Sequence, residues 1–468
     1  MIWFSALLID FTAYFMYRSN ICLKYFIGRT VDAVKAFFVG LLLFFSFDLC
    51  AKYNVTADFT LSNGLRVICI EKKGVPVVSC IVYYKCGSTN DALSKSGVAH
   101  YLEHMAFLNN HCAFSDFLES IGAEFNAFTS NRLVCFEEVV PIEHIETVLK
   151  NEAERMSTFD IDIEKFRSEK GAILEERSMR TDNDPFGQCQ ELEIAYVFHE
   201  IPIIGWRNEI ESITPEDLIN FRNKWFAPNN AIILLAGDIE VKKIKKLIEK
   251  YFGDIQKKDI QNLDLVVVRE KPQITKEIEF RSTKIGTSAS VSYLYFVPPD
   301  IKQDFRKRLA FILAGHVLNE PQSLFRSCLE HSLNKADGIY FAYNSTMNAF
   351  SVLDVSISCS SIDNLEESER IFGYLIKKLL AKGISQKELD LAKRQSMLAD
   401  AYAKEDIASI THILVHSFAA GYTLDQIQKM DDVIQSITLE ECNSVLKEVL
   451  TASPIAILRM LPKEHDRD

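Results

Sequence analysis

The sequence predicts an α+β protein made of two similar α+β domains, each a mostly antiparallel sheet packed with helices. Beyond residue 54, strand-like apolar runs are interspersed with amphipathic helical segments. The order of strands and helices in the first half recurs in outline in the second half, after a polar stretch at 255–275. Each half has about 200 residues, which is within the usual range for one domain.

The first half opens with strands and then mixes strands with helices. Strand-like runs fill VTADFTLSNGLRVICIEKKGVPVVSCIVYYKCGS, with a turn at Asn63-Gly64, and FNAFTSNRLVCFEEVV predicts a strand pair. The apolar stretch NNAIILLAGDI predicts a buried strand. Thr214 and Pro215 favour a helix start, because threonine caps helices and proline suits the first helical position. Helices are predicted at 95–107, 142–160, 163–182, 215–224 and 241–252.

The second half repeats this order. SASVSYLYFVPPD (288–300) is similar to VPVVSCIVYYKCG (75–87), and a strand region, GIYFAYNSTMNAFSVLDVSISCS, follows later. Helices are predicted at 304–319, 365–382 and 385–403, with a final strand at 455–460. The predicted organisation is therefore a leader at 1–51, an N-terminal domain at 52–254, a linker at 255–275 and a C-terminal domain at 276–468.

Composition and charge limit the class of protein. The chain has 468 residues, of which 48% are hydrophobic and 25% charged, as in globular proteins with substantial cores. The net charge of −12 argues against a nucleic-acid-binding protein, which needs a basic face to neutralise phosphates. The 11 cysteines form no C-x-x-C pair, so neither a disulfide framework nor a cysteine metal site is predicted.

The first 51 residues resemble a targeting segment. The apolar run AFFVGLLLFFSF (36–47) is too short to span a bilayer comfortably, but it matches the core of a signal peptide, with Lys35 before it and Ala51 after it. Translation that began at Val34 would give a signal of ordinary length. We therefore expect an exported protein of the bacterial periplasm. The alternative is an uncleaved N-terminal membrane anchor.

The stretch GVAHYLEHMAF (97–107) contains a potential metal site. In a helix, residues four apart lie on one face, so His100 and His104 can hold one Zn²⁺ between them. Glu103 borders the same face and can reach a metal-bound water without being a ligand. This is the inverted motif H-x-x-E-H. Chance alone produces it in on the order of one or two of a hundred such chains, so a polar helix is the alternative.

A catalytic zinc keeps three protein ligands, so a third ligand is expected elsewhere. In SEKGAILEERSMR (168–180), Glu169 and Glu176 are two helical turns apart and share a face, whereas Glu175 points about 100° away. One of the in-line pair can bind the metal while the other accepts a hydrogen bond from a ligating histidine. The alternative is a solvated helix face.

Taken in order, these stretches resemble the insulinase/pitrilysin family of zinc peptidases, which includes the mitochondrial processing peptidases. The resemblance rests on TLSNGLRVICIEKKGVPVVSCIVYYKCGSTND, KSGVAHYLEHMAF, IGAEFNAFTSNRLVCFEEV, FRSEKGAILEERSMRTDNDP and IIGWRNEIESITPEDLINFRNKWFAPNNAIILLAGDIE, and it runs from about residue 54 to 461. It implies a processing-peptidase-like fold. The residues that it implies for the site are the zinc ligands His100, His104 and Glu176, the general base Glu103 and the second carboxylate Glu169.

The resemblance also implies a zinc-dependent metalloendopeptidase with one Zn²⁺ per chain. Its substrates would be peptides or unfolded segments, which the family binds partly as an added strand on a sheet edge. Here 126–129 would supply that edge, with Asn126, Ala127 and Phe128 as substrate-binding residues. An ordinary strand with a turn at Ser130-Asn131 is the alternative for this segment. For the whole chain, the alternative is a non-catalytic scaffold subunit of the same family.

Two positions depart from the family pattern. The family often has FKGT after the zinc helix, where this chain has FLNN. Active members also use an arginine seven residues before a tyrosine in the C-terminal half. If Tyr340 is that tyrosine, the arginine position holds Leu333. We therefore expect a homodimer, or a heterodimer with a related subunit that supplies the arginine and tyrosine pair.

Overall fold

The computed structural model describes residues 55–108, 113–260, 271–344 and 350–463. The predicted leader lies outside the described residues, as does part of the predicted linker at 255–275. The described residues form one six-stranded sheet from the first half and one five-stranded sheet from the second half. Helices pack on both sheets, so the predicted α+β class is confirmed.

Both halves contain strands and helices. The strands are β1 (Val55–Thr60), β2 (Arg66–Glu71), β3 (Val77–Tyr84), β4 (Glu124–Thr129), β5 (Val134–Pro141), β6 (Ala231–Gly237), β7 (Lys276–Ser282), β8 (Ala289–Val297), β9 (Gly338–Asn344), β10 (Ser351–Cys359) and β11 (Ala456–Pro462). The helices of the first half are α1 (Val98–Phe107), α2 (Ala113–Ser120), α3 (Ile145–Ser157), α4 (Ile163–Arg177), α5 (Pro185–Glu193), α6 (Arg207–Ser212), α7 (Pro215–Trp225) and α8 (Val241–Phe252). Those of the second half are α9 (Pro299–Gln303), α10 (Phe305–Asn319), α11 (Leu324–Arg326), α12 (Ile362–Lys382), α13 (Gln386–Ala403), α14 (Ile407–Ala419), α15 (Leu424–Ser436) and α16 (Leu439–Leu450).

Both sheets are mostly antiparallel. The first has the order β1-β2-β6-β3-β5-β4, in which only the β2 and β6 pair is parallel. The second has the order β7-β11-β8-β10-β9, in which only the β7 and β11 pair is parallel. Apart from β1, the two orders correspond strand for strand. The similar sequences at 75–87 and 288–300 contain β3 and β8, which occupy equivalent positions.

Local sequence explains where several helices begin. The helix predicted at 95–107 begins only at Val98, because Gly97 has a φ of 90° and cannot be part of a right-handed helix. The helix predicted at 142–160 is α3, which follows a single 3₁₀ turn after Pro141. The predicted cap is confirmed: the side chain of Thr214 accepts a hydrogen bond from the amide of Asp217.

A helix from the second half covers the face of the first sheet that lies opposite α1. In α14 the hydroxyl oxygens of Thr411 and Ser79 on β3 are 2.8 Å apart, and Nε2 of His412 lies 2.6 Å from a carboxylate oxygen of Glu137 on β5. The hydrophobic core is therefore continuous between the halves, and the central strand β6 is buried along its whole length. The sequence did not predict this packing.

Within the described residues, no single helix is both long and apolar enough to cross a bilayer; only α14 and α15 taken together, bent by 101°, meet the length and composition required. Both helices contribute residues to the core between the two halves.

Candidate metal centre

The helix that carries the H-x-x-E-H motif is held firmly at its N-terminus. One carboxylate oxygen of Asp91 accepts a 2.8 Å hydrogen bond from the amide of Gly97, and the other accepts a 2.9 Å bond from the amide of Ala99. These are amides that a helix start leaves without intrahelical partners. Further along α1, the ring of Tyr101 stacks on Phe166 of α4 at 4.9 Å, and its hydroxyl donates to the Phe166 carbonyl. The contact fixes α1 against α4.

The two histidines and one glutamate form a compact cluster. Nε2 of His100 lies 3.7 Å from Oε2 of Glu176, and Nε2 of His104 lies 3.4 Å from the same oxygen. Potential ligand atoms of all three residues lie within 4.8 Å of one another. Tetrahedral zinc with ligands at 2.0–2.1 Å separates neighbouring ligand atoms by about 3.3 Å. The residues therefore fit a zinc ion with only small side-chain adjustments.

Glu169 lies on the same face of α4 as Glu176 and contacts His104. Its Oε2 lies 3.2 Å from Nδ1 of His104, while Nε2 of that histidine faces Glu176. A carboxylate that accepts from one ring nitrogen leaves the other nitrogen unprotonated and ready to bind a metal. His100 differs, because its buried Nδ1 has no hydrogen-bond partner among the residues that the structure describes.

Glu103 borders the cluster but is not one of the three potential ligands. Its side chain is buried, at 8% exposure for the residue. The hydroxyl of Thr129, the last residue of β4, donates a 2.8 Å hydrogen bond to Oε2 of Glu103. The edge strand of the first sheet therefore fixes one oxygen of this carboxylate.

Burial and contacts within the cluster shift the pKa values of its residues. Burial lowers the pKa of His100 to about 4, and the neighbouring His104 adds to the effect. Burial also acts to lower the pKa of His104, but its contacts with Glu169 and Glu176 prevail and raise it to about 9. Burial raises the pKa of Glu103, against the Thr129 hydrogen bond. A metal must therefore displace a proton chiefly from His104, so metal binding should strengthen as pH rises.

The predicted substrate-binding segment lies at a sheet edge. Within the described residues, β4 pairs only with β5, so its other side can accept hydrogen bonds from an added strand. Asn126 is exposed on β4, and Ala127 packs towards the core beneath α1. Phe128 faces the opposite side of the sheet and stacks on His416 of α14 at 5.6 Å.

Tyr340 lies elsewhere, on β9 of the second sheet. It is paired with Ser356 of β10, and Arg326 is close enough to act on its phenol electrostatically. β9 occupies the position in the second sheet that β4 occupies in the first. β4 is the edge strand next to β5, and β9 is the edge strand next to β10. Leu333 is exposed, at 45% of its surface, so the position of the family arginine carries no charge.

Three residues at the site were missed by the sequence reasoning. Asp91 lies six residues before Gly97 and eight before Ala99, and neither separation is a recognised capping spacing. Thr129 belongs to the predicted edge segment, but its contact with Glu103 spans 26 residues and has no local signal. Arg180 contacts Glu176 at a separation of four residues, so the ordinary helix spacing rule pointed to it.

Two models of one protein family match this chain. The family model described as Insulinase (Peptidase family M16) matches residues 66–193, and the model described as Peptidase M16 inactive domain matches residues 212–396. The chain belongs to the insulinase family, M16. The metal cluster lies within the first of these matches.

Individual relatives of this M16 chain agree with the assignment. It is 26% identical over 385 residues to the zinc protease PqqE of Helicobacter pylori, covering 80% of this chain and 86% of that protein. It is 23% identical over 408 residues to the uncharacterized zinc protease YmxG of Bacillus subtilis, covering 84% and 95%.

Solved structures share the M16 fold. A protease from Helicobacter pylori superposes with a TM-score of 0.77 at 22% identity, covering 87% of this chain and 99% of that one. A peptidase M16 inactive domain from Pseudomonas fluorescens gives a TM-score of 0.73 at 18% identity, covering 89% and 100%. At these identities the likeness concerns the fold alone.

Proposed function

We propose that this protein is a zinc-dependent metalloendopeptidase that hydrolyses peptides or unfolded segments. The observation that supports it most is the position of Glu103. This buried carboxylate lies beside the compact group of His100, His104 and Glu176, without belonging to it. A purely structural metal site has no need of a further buried carboxylate at its border. The relatives named zinc proteases also support zinc as the metal.

The residues would divide the chemistry as follows. Zinc held by the two histidines and Glu176 would acidify a water molecule and polarise the scissile carbonyl. Glu103 would accept the proton of the attacking water and deliver it to the leaving amine. Thr129 would hold one Glu103 oxygen, so that the other points to the reacting atoms. Glu169 would keep His104 in the tautomer that binds the metal.

Substrate would bind along β4. An extended peptide can pair with a free sheet edge through main-chain hydrogen bonds, which suits sequences of many kinds. Asn126, Ala127 and Phe128 would supply this edge, and the strand ends at Thr129 beside Glu103. The scissile bond would thus lie close to the metal ligands.

The test compares the wild type with Glu103→Gln, which preserves size and removes the base. Both proteins should contain one zinc per chain by metal analysis, and only the wild type should hydrolyse a peptide library. General base catalysis contributes roughly 10²–10⁴-fold, so the variant should lose at least about 100-fold in rate. Peptide hydrolysis at the wild-type rate by the variant would overturn the assignment of the base.

A non-catalytic scaffold subunit is the second candidate. The exposed Leu333 at the position of the family arginine favours it, as does the match of the second half to the inactive-domain model. We propose that the chain forms a dimer, either with itself or with a related subunit; only a related subunit could supply the missing arginine, because an identical copy also has Leu333. Size-exclusion chromatography, with activity measured on separated fractions, tests this. Full activity of an isolated monomer would reject the need for a partner.

We also propose that the leader directs the protein to the periplasm. N-terminal sequencing of the protein purified from its native cells tests the proposal. A mature chain that begins after Ala51 would support export, whereas one that begins near Met1 would favour the anchor.

A further inference from the structure

We propose that Arg180 is a positioning residue for the metal centre: it holds one oxygen of Glu176 so that only the other is offered to the metal. The inference rests on the metal site of the proposed function, but not on the reaction. It concerns a residue outside both the H-x-x-E-H motif and the pair of in-line glutamates.

The two oxygens of Glu176 have different partners. Oε1 lies 2.7 Å from a guanidinium nitrogen of Arg180. Oε2 lies 3.7 Å from Nε2 of His100 and 3.4 Å from Nε2 of His104. One oxygen is thus committed to the arginine and the other to the cluster. A glutamate held in this way would bind the metal through a single oxygen, which leaves room for a water molecule in the fourth position.

The backbone that carries Arg180 is fixed. It belongs to a π-helical turn, Ser178–Asp182, that directly follows α4. A β-carbon placed on Gly187 would come within 2.0 Å of the Arg180 carbonyl oxygen, so α5 packs directly against this turn. The neighbouring Arg177 is buried and donates hydrogen bonds to Glu191 and to the carbonyl of Gly205. The turn therefore holds the Arg180 side chain over the end of α4.

An ordinary surface ion pair is the competing explanation, since residues three or four apart on a helix often pair without measurable effect. Arg167 and Glu164 provide such a pair on the same helix, with side chains 70% and 83% exposed. Glu176 differs, because its side chain is only 16% exposed and Arg180 lies at the rim with 57% exposure. Charged groups interact more strongly where water is largely excluded. The Glu176 carboxylate is therefore expected to depend on its arginine.

Zinc affinity tests the inference independently of catalysis. The full-length wild type, Arg180→Ala, Arg180→Lys and the matched control Arg167→Ala are titrated against a chromogenic zinc chelator. Loss of a group that orients a ligand typically weakens metal affinity 10- to 100-fold, and Arg180→Ala should show a loss of this size. Arg180→Lys should recover part of the affinity, because lysine keeps the charge but not the planar fork. Arg167→Ala should match the wild type.

The result that would overturn the inference is an Arg180→Ala variant whose zinc affinity lies within twofold of the wild type. Thermal melting of the zinc-free proteins shows whether each variant folds, and Arg180→Gln replaces Arg180→Ala if that variant does not. Failure of the proposed function gives a different result. A wild type that binds zinc tightly but cleaves no peptide would reject the peptidase, while the difference between Arg180→Ala and wild type would still decide the role of Arg180.

Discussion

The hydroxyl of Thr129 donates a 2.8 Å hydrogen bond to Oε2 of Glu103. This contact joins the free edge strand of the first sheet to the helix of the metal motif. Successive residues of a strand face opposite sides of the sheet. Thr129 therefore faces α1, while its neighbour Phe128 faces α14. The strand proposed to bind substrate also orients the proposed base.

We predict that Thr129→Val lowers kcat for peptide hydrolysis by about 10- to 100-fold. A hydrogen bond to a charged group contributes about 1.5–3 kcal/mol, and valine keeps the shape but not the hydroxyl. Thr129→Ser should restore most of the rate. KM and zinc content should change little, because neither the strand backbone nor the metal ligands are altered. A Thr129→Val enzyme with the wild-type kcat would show that the contact has no catalytic role.

Glu169→Ala should weaken zinc binding by about 10- to 100-fold, because His104 loses the carboxylate that faces its Nδ1. The matched control is Glu175→Ala, which changes the exposed glutamate next in sequence to Glu176, the proposed ligand. Competition with a chelator measures both affinities. Equal losses in the two variants would indicate a general effect of negative charge rather than a specific contact with His104.

Asp91→Ala should destabilise the protein by about 0.5–2 kcal/mol, the usual range for the loss of a helix cap. Both carboxylate oxygens of Asp91 accept amide hydrogen bonds at the start of α1. Urea unfolding of the zinc-free protein measures the free energy. Asp160→Ala, at an exposed position, is the control and should remain near the wild type. The prediction fails if the two variants have the same stability.

The contact between His412 and Glu137 should make the packing of α14 sensitive to pH. Burial acts to lower the pKa of His412, but its contact with Glu137 prevails and raises it above its ordinary value. The contact between protonated His412 and Glu137 therefore stabilises the fold. This stabilisation is fully present below about pH 6.5, the ordinary pKa of histidine, and is lost as pH rises through the folded-state pKa of His412.

Urea unfolding of the wild type and of His412→Gln at several pH values measures this effect. The difference in unfolding free energy between the two should be larger at mildly acidic pH than at alkaline pH. The nearby His416 has a pKa lowered to about 4, so it stays neutral over this range. A difference that does not change with pH would show that His412 is not charged in the folded protein.

Much of the site could be predicted because its residues lie at helical spacing. His100, Glu103 and His104 occupy successive positions of one helix face, and Glu169 and Glu176 lie two turns apart on another. Such spacings fix which side chains share a face before any tertiary contact forms. The order of strands and helices along each half could also be predicted, because apolar runs and turn residues mark each strand locally.

The α+β class, the repeated order of the two halves and the residue types able to hold a metal all follow from local sequence patterns. Three features became visible only in the folded chain: which oxygen of Glu176 faces the histidines, the contact between Thr129 and Glu103, and the packing of α14 on the first sheet. The folded chain also places Tyr340 opposite Ser356 in the second sheet. The physical reason is sequence distance: local periodicity sets the face of a side chain, but contacts between distant segments depend on how sheets and helices pack together.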